Sequence, residues 1–364
     1  MFVPLNVVKA NSPDMKFYKS IYIIFLVSLL LVSCQDKLLR PAPDVSDIDV
    51  TVDLIRYDAG LASINPDKPE ASYMQLLGSY PKMTDLYFKE LIRIYSPDKT
   101  AFYNSISEFR KEPRIASLLD TIKHVFPYND KEIGEKLEQP LKYLKYYFPE
   151  KKTPQFYTLM SEFGYQNFIF EGEEGRDAIG IGLDFFLGNK FEYKKIDPGN
   201  PVFSKYLSRT YTPEYVAKKA IEMLTVDLLG NPTGKRFIDK MIYQGKKAYI
   251  MTQLFPSTPD TLLWEYSQPQ MDWVVDNELQ IWSFFLEKEM LYETNHIEIA
   301  NYLEPAPTSK GMPDIAPGRT AVYSGYKIIE AYMDKHPEFT LKDLLAFKDA
   351  QRLLEQSKYR PSRR

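Results

Sequence analysis

Along most of this chain the apolar positions recur at spacings of three and four, the period of a helix that buries one face. That spacing predicts helices over residues 84–94 and 115–125. Pro81, Pro97, Pro113, Pro127 and Pro140 break the helical run from Pro66 to Phe148 into pieces. Two stretches depart from the helical period. In Ile48–Asp58, Val50, Val52 and Leu54 alternate with Thr51 and Asp53, which predicts a strand. Residues 155–160, 165–170 and 178–187 are short, β-branched or aromatic, and separated by turn-rich positions such as Gly172 and Gly175. They predict three further strands of one small sheet.

From Thr212 onward the helical period returns. Thr212-Pro213-Glu214 offers a threonine cap, a proline at the first helical position and an acid in the first turn, so a helix is expected from there to about Leu229. A second is expected from about Thr233 to Leu254. Ser267-Gln-Pro-Gln270 is a capping box ahead of Trp273, Ile281, Trp282 and Phe285. The last two helices are expected over 320–335 and 340–357, the second opened by Thr340 with Asp343 three residues on. Residues 295–319, with Pro305, Pro307, Pro313 and Pro317, predict a long loop, a kind of segment that is often functional. The fold class expected is α+β, predominantly α-helical, with a small mixed sheet packed against helices.

One run is apolar all round. Residues 21–33 are preceded by Lys16 and Lys19 and end in Leu31-Val32-Ser33-Cys34, which matches the bacterial lipobox. Thirteen residues fall short of the roughly 20 needed to cross a bilayer. Cys34 is also the only cysteine in the 364 residues. Residues 1–33 are therefore expected to be a lipoprotein signal peptide, with Met15 as the biological start and 1–14 an upstream extension. Cys34 becomes the acylated first residue, carrying palmitate-type chains into the bilayer. Residues 34–46, with Pro41 and Pro43, form a tether, 47–358 a single globular domain and 359–364 a disordered basic tail. The expected location is the cell envelope, lipid-anchored and facing the periplasm. Losing Lys9, Lys16, Lys19 and Asp14 with the signal leaves 43 basic and 48 acidic residues, a net charge of −5, which argues against nucleic acid as a partner.

Candidate chemistry is sparse. His124, His296 and His336 have no second His or Cys at metal-ligand spacing, and no Ser-His-Asp or Cys-His arrangement is visible. Gly180-Ile-Gly182 lacks the further glycine or Gly-Lys-Ser/Thr of a phosphate loop, so close backbone packing accounts for it better. No cofactor is expected. Glu173/Glu174 and Glu287/Glu289 read as solvated acid pairs, Arg56 and Asp58 as a local ion pair, and the aromatic stripe Tyr143–Phe148 as core.

The ordered blocks Ile179–Gly188, Tyr206–Tyr215, Asp239–Lys246, Trp273–Trp282, Leu291-Tyr292 and Gly325–Ile329, together with the lipobox, resemble the GldB family of gliding-motility lipoproteins from Bacteroidetes. The resemblance implies a non-enzymatic component of the gliding and type IX secretion machinery, working with other envelope proteins. It also implies a remote kinship to zinc peptidases, hence a degenerate zincin-like fold. The metal motif would fall on Pro213-Glu-Tyr-Val-Ala217, with the third ligand at Gln244. Proline and alanine cannot bind zinc, which leaves Glu214 and Gln244 as vestigial positions and no metal site. The alternatives are a zinc metallopeptidase with unconventional ligands, or a glycan-binding surface lipoprotein using some of its 27 Tyr, 22 Phe and 3 Trp. The working surface is expected at the groove beside 178–187 and at the loop 295–319.

Overall fold

A computed structural model describes residues 42–362. Cys34, the signal segment and residues 34–41 of the expected tether lie outside them. Four short strands pair as one mixed sheet in the order β1-β2-β4-β3: β1 (Asp53–Arg56), β2 (Gln155–Leu159), β3 (Asn167–Glu171) and β4 (Asp177–Gly182). β1 and β4 both run parallel to β2, whereas β3 and β4 form an antiparallel hairpin. Parallel partners need long crossovers, and the one from β1 to β2 is filled by helices. These are α1 (Tyr57–Ala62), α2 (Pro69–Ser79), α3 (Pro81–Leu86), α4 (Lys99–Lys111), α5 (Pro113–Val125) and α6 (Glu132–Tyr147), with a π-helical turn at Tyr87–Leu91.

After the sheet come α7 (Lys205–Ser208), α8 (Val216–Leu229), α9 (Phe237–Leu254), α10 (Asp260–Trp264), α11 (Gln268–Asp276) and α12 (Glu278–Glu287). The chain ends with α13 (His296–Leu303), α14 (Thr320–Lys335), α15 (Leu341–Ala346) and α16 (Ala350–Ser357). The fold is predominantly α-helical α+β. α8 lies against β3 and β4 and touches α6. One cluster of buried hydrophobic residues extends from Val45 to Leu353. Tyrosine hydroxyls buried in it find partners, as where Tyr87 Oη donates to the Met160 carbonyl at 3.0 Å.

Small residues set the closest approaches. In the β3–β4 register Gly180 faces Phe168, and a Cβ on Gly180 would lie 2.1 Å from that ring, so the glycine is present to admit the aromatic. At the α9–α14 crossing Gly245 and Gly325 bring two helix backbones together: a Cβ on Gly325 would lie 2.2 Å from the Met241 carbonyl oxygen. The capping boxes at Ser267/Gln270 and Thr340/Asp343 form as expected. The expected Arg56–Asp58 pair is present as well. Arg56 donates to both oxygens of buried Asp58 and to the carbonyls of Phe126 and Pro127, tying the end of α5 to the end of β1.

Several boundaries differ from the expected ones. Pairing in the first strand is confined to residues 53–56, and Tyr57 already opens α1. The third expected strand of the sheet stops at Gly182, because residues 183–186 turn as a 3-10 helix that buries the Asp184 carboxylate. That carboxylate accepts from Ser161 N and Oγ and from Phe163 N, holding Glu162 and Phe163 in left-handed backbone. Thr212 makes no side-chain cap. Pro213–Tyr215 form a 3-10 turn and α8 begins at Val216. The helix expected from Thr233 begins at Phe237, where Arg236 and Asp239 close its first turn. The segment 340–357 is two helices, broken where Asp349 caps the second. The expected loop 295–319 opens with α13, capped by Asn295 and burying Ile299, Tyr302 and Leu303. The basic tail expected to be disordered is packed on the fold as far as Ser362, with Tyr359 Oη and Ser362 N both donating to Glu278 Oε1.

Candidate functional site

Charged side chains from several helices, none of them singled out from the sequence, converge inside the molecule. On α8, Lys218 and Glu222 are one turn apart and both point into a cavity of about 180 Å³. α9 contributes Gln244 and Lys247 to its wall, the end of α10 contributes Trp264 and Glu265, and Leu303–Pro305 and Arg319 close it from the segment once expected to be loop.

Lys218 Nζ lies 2.6 Å from Glu265 Oε1 and 2.8 Å from Glu222 Oε2. Lys219 Nζ reaches the same Glu265 oxygen at 2.6 Å, Lys247 Nζ meets Glu222 Oε1 at 2.8 Å, and Arg319 Nη1 stands 3.7 Å from Glu265 Oε2. Lys218 and Glu265 are almost fully buried, at 3% and 5% exposure. Burial alone would raise the Glu265 carboxyl, but Lys218, Lys219 and Arg319 together outweigh it and hold the group well below the usual carboxylate range. Glu222 is held low in the same way by Lys218, Lys247 and Lys219. Burial disfavours the Lys218 ammonium, yet Glu222 and Glu265 leave it more firmly protonated than a free lysine.

The backbone is bent to build this arrangement. Glu265 ends α10 and Arg319 precedes α14, both in left-handed conformation, at φ 55° and 64°. Each such residue costs about 1–3 kcal/mol unless its surroundings hold it. Here Arg319 donates to the Trp264 carbonyl and lies over the Tyr266 ring at 5.4 Å, Tyr266 Oη donates to Gly318 O at 2.7 Å, and Arg209 donates to the Glu265 carbonyl. The result is a fully charged, internally paired cross-link between α8, α9, α10 and α14. Both carboxylates stay ionised and Lys218 stays protonated, so neither acid nor that ammonium is poised to exchange a proton near neutral pH.

The sequence-derived positions fall on both sides of this cluster. Gln244 lines the cavity. Glu214 is exposed, accepts from Thr212 Oγ1 at 3.2 Å and is not in the cavity wall. The frame Pro213–Ala217 straddles the junction between a 3-10 turn and α8, so its ends do not share one helical face; the pair at four-residue spacing that lines the cavity is buried Lys218 and partly buried Glu222. The strand around 178–187 offers no groove, since β4 is flanked by β2 and β3 and buried from Ala178 to Gly182.

Among the described residues no group of three His, Cys, Asp or Glu side chains is placed to hold a metal, and no helix is long and apolar enough to cross a membrane. His124 is exposed in the last turn of α5, His296 is exposed at the first turn of α13, and His336 caps α14 against Tyr332. Trp264 is buried and Trp273 and Trp282 are partly buried against the core, so the tryptophans present no flat exposed row to a sugar. Neither the curated proteins nor the solved structures include a match to this chain. The model of one protein family, the gliding motility protein GldB, matches residues 39–361. That match spans nearly all of the sequence, and the chain belongs to the GldB family of gliding-motility lipoproteins.

Proposed function

We propose that this protein is a lipid-anchored, non-enzymatic part of the gliding motility apparatus and its associated type IX secretion machinery, attached through acylated Cys34 and facing the periplasm. The family match over residues 39–361 carries this reading. The charge cluster supports its non-enzymatic part. Where a hydrolase would need a base able to take up a proton, Glu222 and Glu265 are tied to lysines and kept ionised. On this reading the Lys218–Glu265 cross-link shapes the helical half, and the protein works by contact. The kinship to zinc peptidases then concerns descent only, with Glu214 and Gln244 as remnants.

The test is complementation of a strain lacking the gene. The parent chain restores gliding over agar and the surface display of type IX cargo. Cys34→Ser abolishes palmitate labelling and restores neither. Glu214→Gln and Gln244→Ala restore both fully, and loss of gliding in either one at normal protein level would establish a catalytic role instead.

A further inference from the structure

A pocket of about 320 Å³ opens between α1, α4 and α5 and shares no residue with the charged cluster. Arg110, near the end of α4, lines it together with Asp120 and Lys123 of α5 and Tyr128 beyond that helix. Arg110 is the unusual member. Its Nη2 donates to the Ala62 carbonyl at 3.1 Å, but Nε and Nη1 are closed off from water and have no acceptor among the described residues. A guanidinium cannot shed its proton as a buried lysine can, so both donors stay idle at any ordinary pH. Each carries a desolvation cost that an acceptor would remove. The acid in the wall does not supply one. Asp120 is exposed and makes no ion pair among the described residues. Burial first, then Asp58 and Asp120, push the Tyr128 phenol up, while Arg56 and Arg110 pull it down. Arg110 and Asp120 therefore stand within electrostatic reach of one hydroxyl. Lys123 Nζ lies over the same ring, 5.5 Å from its centre.

We infer that this pocket binds a small zwitterion, a free α-amino acid, with its carboxylate on Arg110 and its ammonium on Asp120. The carboxylate brings the acceptors that the Arg110 guanidinium lacks, once that side chain turns to meet it, and such charge-assisted bonds are the strong ones. The ammonium gives Asp120 its counter-charge. The volume, about 320 Å³, falls within the range of small-molecule sites, which begins near about 300 Å³. A phosphate dianion is the poorer occupant. Arg110 and Lys123 against Asp120 leave the wall a formal charge of only +1, and Asp120 repels each of the two negative charges.

Saturation-transfer NMR on the full chain in detergent tests the inference. The probe is an equimolar mixture of glycine, alanine, leucine and glutamate, with acetate, methylamine and phosphate titrated separately. At least one of the amino acids receives transfer, whereas acetate and methylamine, each carrying half of the charge pattern, bind about tenfold more weakly or less. Arg110→Gln and Asp120→Asn each lower the affinity for the amino acid about tenfold. Asp120 is exposed, so Asp120→Asn leaves the fold intact and decides the matter even where Arg110→Gln fails to fold. Glu287→Gln with Glu289→Gln, on an exposed face elsewhere, changes binding less than about twofold. Absence of transfer to all four amino acids overturns the proposal, and so does binding that Asp120→Asn leaves unchanged. Acetate or phosphate bound as tightly as the amino acid overturns it in favour of a plain anion pocket.

Discussion

Replacing Glu265 with Gln removes the anion on which Lys218, Lys219 and Arg319 converge while leaving shape and backbone nearly unchanged. The three cations do not suffer equally. Lys219 is about one-fifth exposed and can turn to water, and Arg319 keeps the Trp264 carbonyl and the Tyr266 ring. Lys218, at 4% side-chain exposure, keeps only Glu222. Removing one partner of a buried pair costs about 3–5 kcal/mol, and because Lys218 retains one carboxylate the expected loss lies near the lower end, about 3 kcal/mol. Urea denaturation of the purified protein, followed by far-ultraviolet circular dichroism, measures it. Lys218→Met combined with Glu265→Gln should lose less than the sum of the single changes, with a coupling of about 1–3 kcal/mol. A Glu265→Gln protein within about 0.5 kcal/mol of the parent, or strictly additive changes, would refute the view that this cluster is a buried structural cross-link.

The same cluster sets a pH dependence. Glu222 and Glu265 have folded values below their unfolded ones, so their contribution is present above about pH 4.5 and fades as pH falls below it. The gap in urea midpoint between parent and Glu265→Gln is therefore constant from pH 8 to 5 and narrows under pH 4.5; a gap that widened there would contradict the assignment. Gly325→Ala pushes a methyl into the Met241 carbonyl at 2.2 Å and should lower stability by about 2–3 kcal/mol. Gly78→Ala in α2, where the methyl meets nothing within 4 Å, should raise it by up to about 1 kcal/mol in the same melts. Asp58→Asn removes the charge that takes two bonds from Arg56 and one from Thr158 Oγ1 at 2.6 Å. It should cost about 2–4 kcal/mol and loosen the α5–β1 junction, read as faster amide exchange at Phe126 and Tyr128.

The helices and strands themselves could be read from the chain because their cues are local. The capping boxes at Ser267 and Thr340, the apolar period of α5 and the short aromatic strands each depend on residues within a turn or two of one another. Errors gathered at ends and breaks. Asn295 is a good cap and Ile299, Tyr302 and Leu303 hold helical spacing, but the prolines that follow obscured α13. The Arg56–Asp58 pair and the packing role of Gly180 could also be foreseen, since one is adjacent in sequence and the other pairs within a hairpin.

The charged centre was not readable in this way. Lys218, Glu222 and Lys247 stand at ordinary spacings on amphipathic helices, where a lysine and a glutamate one turn apart almost always face water. What buries them is α14 crossing α9 at Gly245 and Gly325, which draws Arg319 and the end of α10 over α8. Glu265 and Arg319 adopt left-handed backbone only because each holds the other's neighbourhood in place, a long-range condition with no local signature. The sequence by itself thus determined the family and the α+β inventory, carried by ordered blocks of contiguous residues. Only the tertiary structure decided which charges are buried, because burial depends on helices that meet across more than a hundred residues of chain.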